Sequence, residues 1–142
     1  MRASALRTKI IDSIESIVPD VKVSSSDIFR SMSTIHDQSP IDRMFILERS
    51  APQAPARELL TTLGASPDPY SIRWVLQVFY VNGEHAIDRV LDDGDLVVDA
   101  LRSLTSEQQI RTIDIAGSSD LEDEQIIVST WDLTVTYDRR EP

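Results

Sequence analysis

Ile72-Arg73-Trp74-Val75-Leu76-Gln77-Val78-Phe79-Tyr80-Val81 decides how this chain is read, together with its echo Trp131-Asp132-Leu133-Thr134-Val135-Thr136-Tyr137. Alternate residues of a strand share one face, so the first run lays Trp74, Leu76, Val78 and Tyr80 along one side. The second does the same with Trp131, Leu133, Val135 and Tyr137. Both runs are rich in β-branched and aromatic residues and free of Gly and Pro. They are predicted to be two central strands of one sheet, with these eight side chains as the sheet's share of the core. Two strands facing one core converge on such a pattern without an ancestral repeat.

Working outward, residues 3–18 form an amphipathic pattern with Leu6, Ile10, Ile14, Ile17 and Val18 at helical spacing. Ser4 is the expected N-cap and Pro19 the stop. Val21–Val23 and Asp27–Met32 read as short strands, and Met44–Arg49 as a clearer one. That last strand has Met44, Ile46 and Glu48 on one face and Phe45 and Leu47 on the other. Residues 50–71 carry Pro52, Pro55, Pro67 and Pro69 and form a long connection. Within it, Ala56–Leu63 suggests a short helix closed by Gly64, whose stripe Leu59, Leu60 and Leu63 either covers a sheet edge or meets another molecule.

After an Asn82-Gly83 turn, Ile87, Val90, Leu91, Val97, Val98, Leu101 and Leu104 keep a helical period from Glu84 to Leu104. Gly94 lies on this apolar side, either allowing close approach to the sheet or dividing the helix in two. Gln109–Ile115 follows as a strand with Arg111, Ile113 and Ile115 on one face. Ala116–Glu124 is the expected long acidic connection to a last strand, Gln125–Asp138. The order implies an α+β domain with a mainly antiparallel sheet and two principal helices packed on one face.

The 142 residues make one domain-sized chain. The absence of Cys excludes disulfides and thiolate chemistry. A formal net charge of −10 argues against a nucleic-acid grip, which needs cations to neutralise phosphates. The surface is acidic and Lys-poor, as suits a high-salt cytoplasm or simply a GC-rich genome. No stretch reaches the ~20 apolar residues of a membrane span, and no signal-peptide core is evident, so a soluble protein is expected.

Chemistry-bearing patterns are sparse. His36 with Asp37 and Asp42 lacks ligand spacing, and Asp92-Asp93-Gly94-Asp95 lacks the downstream Glu of a calcium loop. There is no nucleophile elbow and no phosphate-binding glycine loop. No catalytic, metal or cofactor site is expected, and no enzymatic activity.

In its order of elements the chain resembles the tail terminator (tail-completion) proteins of long-tailed viruses. The residues that carry the likeness are the helix Leu6–Val18, the strand Trp74–Tyr80, the helix Ile87–Leu104 with Val97-Val98-Asp99-Ala100-Leu101, and the closing hairpin ending Ser129–Tyr137. The resemblance implies a virion protein that forms a homo-hexameric ring on the last ring of the tail tube, stops its growth and meets the head-tail connector. The genome would pass through the lumen without specific binding. A different neck protein, a head-completion or adaptor subunit, and a small-molecule-binding α+β domain are the competing readings. Under the ring reading, Leu59, Leu60, Leu63, Val75 and Phe79 are the expected contact residues, because the second face of the Trp74 strand is partly apolar. Asp120, Glu122, Asp123, Glu124 and Asp132 are the expected acidic lining of the opening. Their mutual repulsion predicts that assembly improves with salt, unless arginines of neighbouring subunits pair with them.

Overall fold

The computed structural model describes residues 1–19, 29–32, 42–50 and 69–139. Its strands, in chain order, are β1 (Arg30–Ser31), β2 (Met44–Arg49), β3 (Pro69–Val81), β4 (Ile110–Glu122) and β5 (Ile126–Asp138). They form one sheet in the order β1-β2-β3-β5-β4, antiparallel except for the short β1–β2 pair. Two α-helices, α1 (Ala3–Glu15) and α2 (Ala86–Ser103), complete the described secondary structure with a 3-10 turn at Leu104–Ser106. The α+β class with a mainly antiparallel sheet is as the sequence indicated.

The two Trp runs are neighbours at the centre of the sheet. β3 and β5 pair along their whole length, from Pro69 opposite Asp138 to Val81 opposite Ile126. The register sets Trp74 beside Leu133 and Leu76 beside Trp131, so all eight predicted residues lie on one face. Seven of them are buried, and Trp131 is half-buried against the same cluster. Leu6, Ile10 and Ile14 of α1, and Ala86, Val90, Val97 and Leu101 of α2, close over this face. Each fully buried aliphatic or aromatic side chain contributes roughly 1.5–3 kcal/mol, so this single layer dominates the stability.

Several boundaries differ from those expected. α1 begins before Ser4: Arg2 is its N-cap, without a side-chain cap bond, and the first ladder bond runs from the Leu6 N–H to the Arg2 carbonyl. The helix ends at Glu15, short of Pro19, and Val18 is 64% exposed, outside the apolar stripe. β3 starts at Pro69 because β5 is long enough to pair with it. Proline is tolerated there as the first residue of a strand. Of the expected 27–32 strand, residues 29–32 are described, and only Arg30–Ser31 are strand. The segments at 21–23 and 56–63, with Leu59, Leu60 and Leu63, lie outside the described residues.

The β4–β5 hairpin holds the largest correction. Ala116–Glu124 is not a long connection: β4 continues to Glu122, and the turn is Asp123-Glu124-Gln125 alone. Two register shifts, between Ile110 and Thr112 and between Ala116 and Ser118, reverse the alternation of β4. The first takes Arg111 away from the face of Ile113 and Ile115 and into an ion pair with Asp138 at 2.9 Å. The second, at Gly117, sends Asp120 and Glu122 to the helix side and Leu121 to the outer face.

α2 is unbroken through Gly94, whose missing side chain faces the indole of Trp131. An added Cβ would sit 3.4 Å from the ring, in ordinary contact. Gly94→Ala is therefore expected to raise stability by up to about 1 kcal/mol through helix propensity alone, read as a rise of roughly 4 °C in Tm. Gly94→Leu should lower Tm by driving a larger side chain into Trp131.

Candidate functional site

Three regions of the molecule bear on function: a buried polar clamp, the outer face of the sheet, and the two ends of the β3–β5 ladder. The clamp fixes α2 to the turn before β2. Arg43 has a left-handed backbone (φ 64°) and is 1% exposed. Its Nε and Nη2 donate to the two carboxylate oxygens of Asp93 at 2.7 and 3.2 Å. Asp93 is 2% exposed, so this is a fully desolvated, forked ion pair. One residue earlier, Asp42 accepts from the Arg89 guanidinium at 3.2 Å and from the Val81 N–H at 3.0 Å. Arg89 and Asp93 are four apart on α2, so two adjacent residues of opposite charge meet their complements on one helix face. Tyr80 also bonds Asp93, and its phenol is held far above its ordinary pKa, first by burial and then by the Asp93 charge.

Within the acidic run at 92–95 only Asp93 is buried and serves the clamp, as Asp42 does beside it; Asp92 and Asp95 are exposed. Sequence reading missed the clamp because its partners lie about fifty positions apart and neither stretch has a local signature. His36 and Asp37 lie outside the described residues. His85 is exposed, with Glu84 at 3.4 Å and Asp88 at 3.7 Å. Among the described residues no group of His, Asp and Glu is arranged to hold a metal ion.

On the outer face, Phe79 is not available to a neighbour: it is 8% exposed and packs with Met32, Met44 and Ile46 of its own chain. Val75 is half-buried between Glu48 and Asp132 across the ladder. The apolar surface that does face solvent lies further along. Val81 is 45% and Leu121 73% exposed, and both adjoin the half-buried Ile126 and Val128 on the same face. A second exposed apolar pair, Ile87 and Leu91, lies one turn apart on α2. Between α2 and the hairpin is a groove of about 220 Å³, lined by Leu91, Gly94, Val98, Asp120, Ser129 and Trp131.

The expected acidic cluster is only partly brought together. Asp120 and Glu122 face the helix side, Asp123 and Glu124 form the turn, and Asp132 lies on the opposite, outer face. The turn is ordered by its own side chain. Asp123 Oδ1 accepts from the Gln125 and Ile126 N–H groups at 2.7 and 2.8 Å, and those bonds, Ile126 first, hold its carboxyl below the usual range. Asn82 bridges the turn to β3, donating to the Asp123 carbonyl at 2.6 Å and to Glu122 at 3.2 Å.

The opposite end of the ladder is basic. An open cleft of about 460 Å³ lies beside the start of α1, lined by Arg2, Arg49, Tyr70, Ile72, Tyr137 and Arg139 among others. The Arg139 guanidinium stacks 4.3 Å from the Tyr70 ring centre and donates to its hydroxyl. Burial raises the Tyr137 phenol above its usual pKa, opposed by the charges of Arg139 and Arg49 beside it. Sequence reading missed this cleft, because its three arginines come from three separated segments.

No family model matches the chain, and no curated protein matches it in sequence. No helix among the described residues is long and apolar enough to cross a membrane.

Removing either charge of the clamp leaves the other buried and uncompensated. Asp93→Ala is expected to cost about 3–5 kcal/mol, and a double-mutant cycle of Asp93→Ala with Arg43→Met should show a coupling of at least about 2 kcal/mol in denaturant unfolding. The raised Tyr80 pKa favours the folded state while the phenol stays neutral. That contribution is complete below the unfolded value of about 10 and is lost as pH rises above it. Tyr80→Phe should therefore flatten the alkaline fall of Tm.

Proposed function

We propose that this chain is a structural virion subunit of the tail-terminator kind, which closes into a ring on the end of a tail tube, stops its elongation and joins it to the head connector. The observation that carries this reading is the presence of two separate exposed apolar patches on one subunit. One is Val81 and Leu121 on the outer sheet face; the other is Ile87 and Leu91 on α2. A ring subunit seated on a tube must present several unlike surfaces, to its neighbours and to the tube, and large apolar side chains left in water mark such surfaces. The chain's element order and its net charge of −10 support the same reading, since an acidic opening lets a phosphate backbone pass without adhering. The partners under this reading are further copies of the chain, the tail tube protein and the connector, and the site of action is the virion neck.

The test is assembly of the cognate tube protein with and without this chain, followed by electron microscopy. Tubes should stop at a capped end when the chain is present and grow to unregulated lengths when it is absent. Leu121→Asp and Leu91→Asp should each keep the wild-type Tm and lose capping. Tubes that elongate equally in both mixtures would refute the reading.

A further inference from the structure

The two ends of the β3–β5 ladder are oppositely charged, and they cannot meet within one molecule. At one end Asp120, Glu122, Asp123 and Glu124 form the hairpin tip, and Leu121 is the one uncharged residue among those five. At the other, Arg2, Arg49 and Arg139 converge on the cleft beside α1. β3 is thirteen residues long, which separates the ends by roughly 40 Å at about 3.3 Å per residue.

The cleft is an unusual feature for a chain of net charge −10. All three of its arginines are exposed, and no carboxylate among the described residues lines it or pairs with them. The nearby Asp138 is engaged by Arg111 at 2.9 Å. The tip, in turn, is set before any contact forms. Its backbone is fixed by Asp123 and tied to β3 by Asn82, so little conformational freedom remains to be lost on docking. Asp120 and Glu124 make no ion pair with the described residues.

We propose that the acidic β4–β5 tip of one copy of this chain docks into the Arg2–Arg49–Arg139 cleft of the next, giving a head-to-tail contact. This deepens the ring reading and rests on it. The contact is heterologous, so it propagates from copy to copy and closes when the rotation between neighbours permits. Carboxylates can take the guanidinium groups in forked pairs, and the Tyr70 and Tyr137 rings form the cleft's walls. Nucleic acid is the weaker occupant, because the whole molecule repels phosphate while a second copy carries a preformed acidic tip. The contact also reverses the salt dependence expected from acid crowding alone: screening weakens opposite charges that meet across an interface.

The test is a charge exchange read by sedimentation or native mass on the full chain. The tip variant is Asp120→Lys with Glu124→Lys; the cleft variant is Arg49→Glu with Arg139→Glu. All four positions are exposed, and circular dichroism should show wild-type folding. Wild type should self-associate at low salt and dissociate as ionic strength rises from about 0.05 M to about 0.5 M. Each variant alone should associate at least about tenfold more weakly, and an equimolar mixture should regain the wild-type assembly, because every tip then finds an opposite cleft. Variants that assemble alone as wild type does would overturn the contact while leaving tube capping intact. A wild type that stays monomeric, or a mixture that fails to recover, would also overturn it. So would duplex DNA binding by wild type that the cleft variant loses, since the cleft would then be a phosphate site. The ring reading stands or falls separately, on tube capping.

Discussion

Thirteen continuous pairs between β3 and β5 are the constraint on which the rest of this structure depends. Side chains alternate with a period of two, so this one register places Trp74, Leu76, Val78, Tyr80, Leu133, Val135 and Tyr137 on a common face. A slip of one residue would turn all of them to the other side. Both helices then have a single place to bury their stripes. The length of the ladder also sets the distance between the molecule's two ends, and so decides which charges can meet internally and which can meet only a neighbour.

The clamp adds direction to that packing. Hydrophobic burial alone lets a helix slide or rotate over a sheet at modest cost, since aliphatic contacts are exchangeable. A forked Arg43–Asp93 bond inside the core has one satisfactory geometry, and the Asp42–Arg89 pair repeats the constraint one helical turn away. A buried pair of this kind is weak as a source of net stability and strong as a determinant of position. It fixes the orientation of α2, and with it the place of Ile87 and Leu91 on the surface.

Much of the fold was legible because its signals are local. The alternation in 72–81 and 131–137, and the helical period in 87–104, can be read without knowing any partner. The failures have a common physical origin in pairing over distance. Gly117, Ser118 and Ser119 suit a loop by propensity, yet β5 supplies a ladder for them and the strand continues. The register shift at Gly117 then inverts the faces of everything after it, so Leu121 is outward while Asp120 and Glu122 are not. Phe79 reads as a free outer-face residue from alternation, but Met32, Met44 and Ile46 cover it. The basic cleft draws one arginine each from before α1, the end of β2 and the residue after β5, a convergence that no window of sequence contains.

Under the proposed function this chain acts through its surfaces, as a ring subunit. Imaging the tail tube ends formed in the presence of the chain, by cryo-electron microscopy with averaging around the tube axis, tests that most directly. The expected image is a closed ring of identical copies of this fold seated on the last tube ring, with α2 and the β4–β5 hairpin at the subunit boundaries. Tube ends that carry no density for the chain, or that carry it as isolated copies without contact to one another, would contradict it.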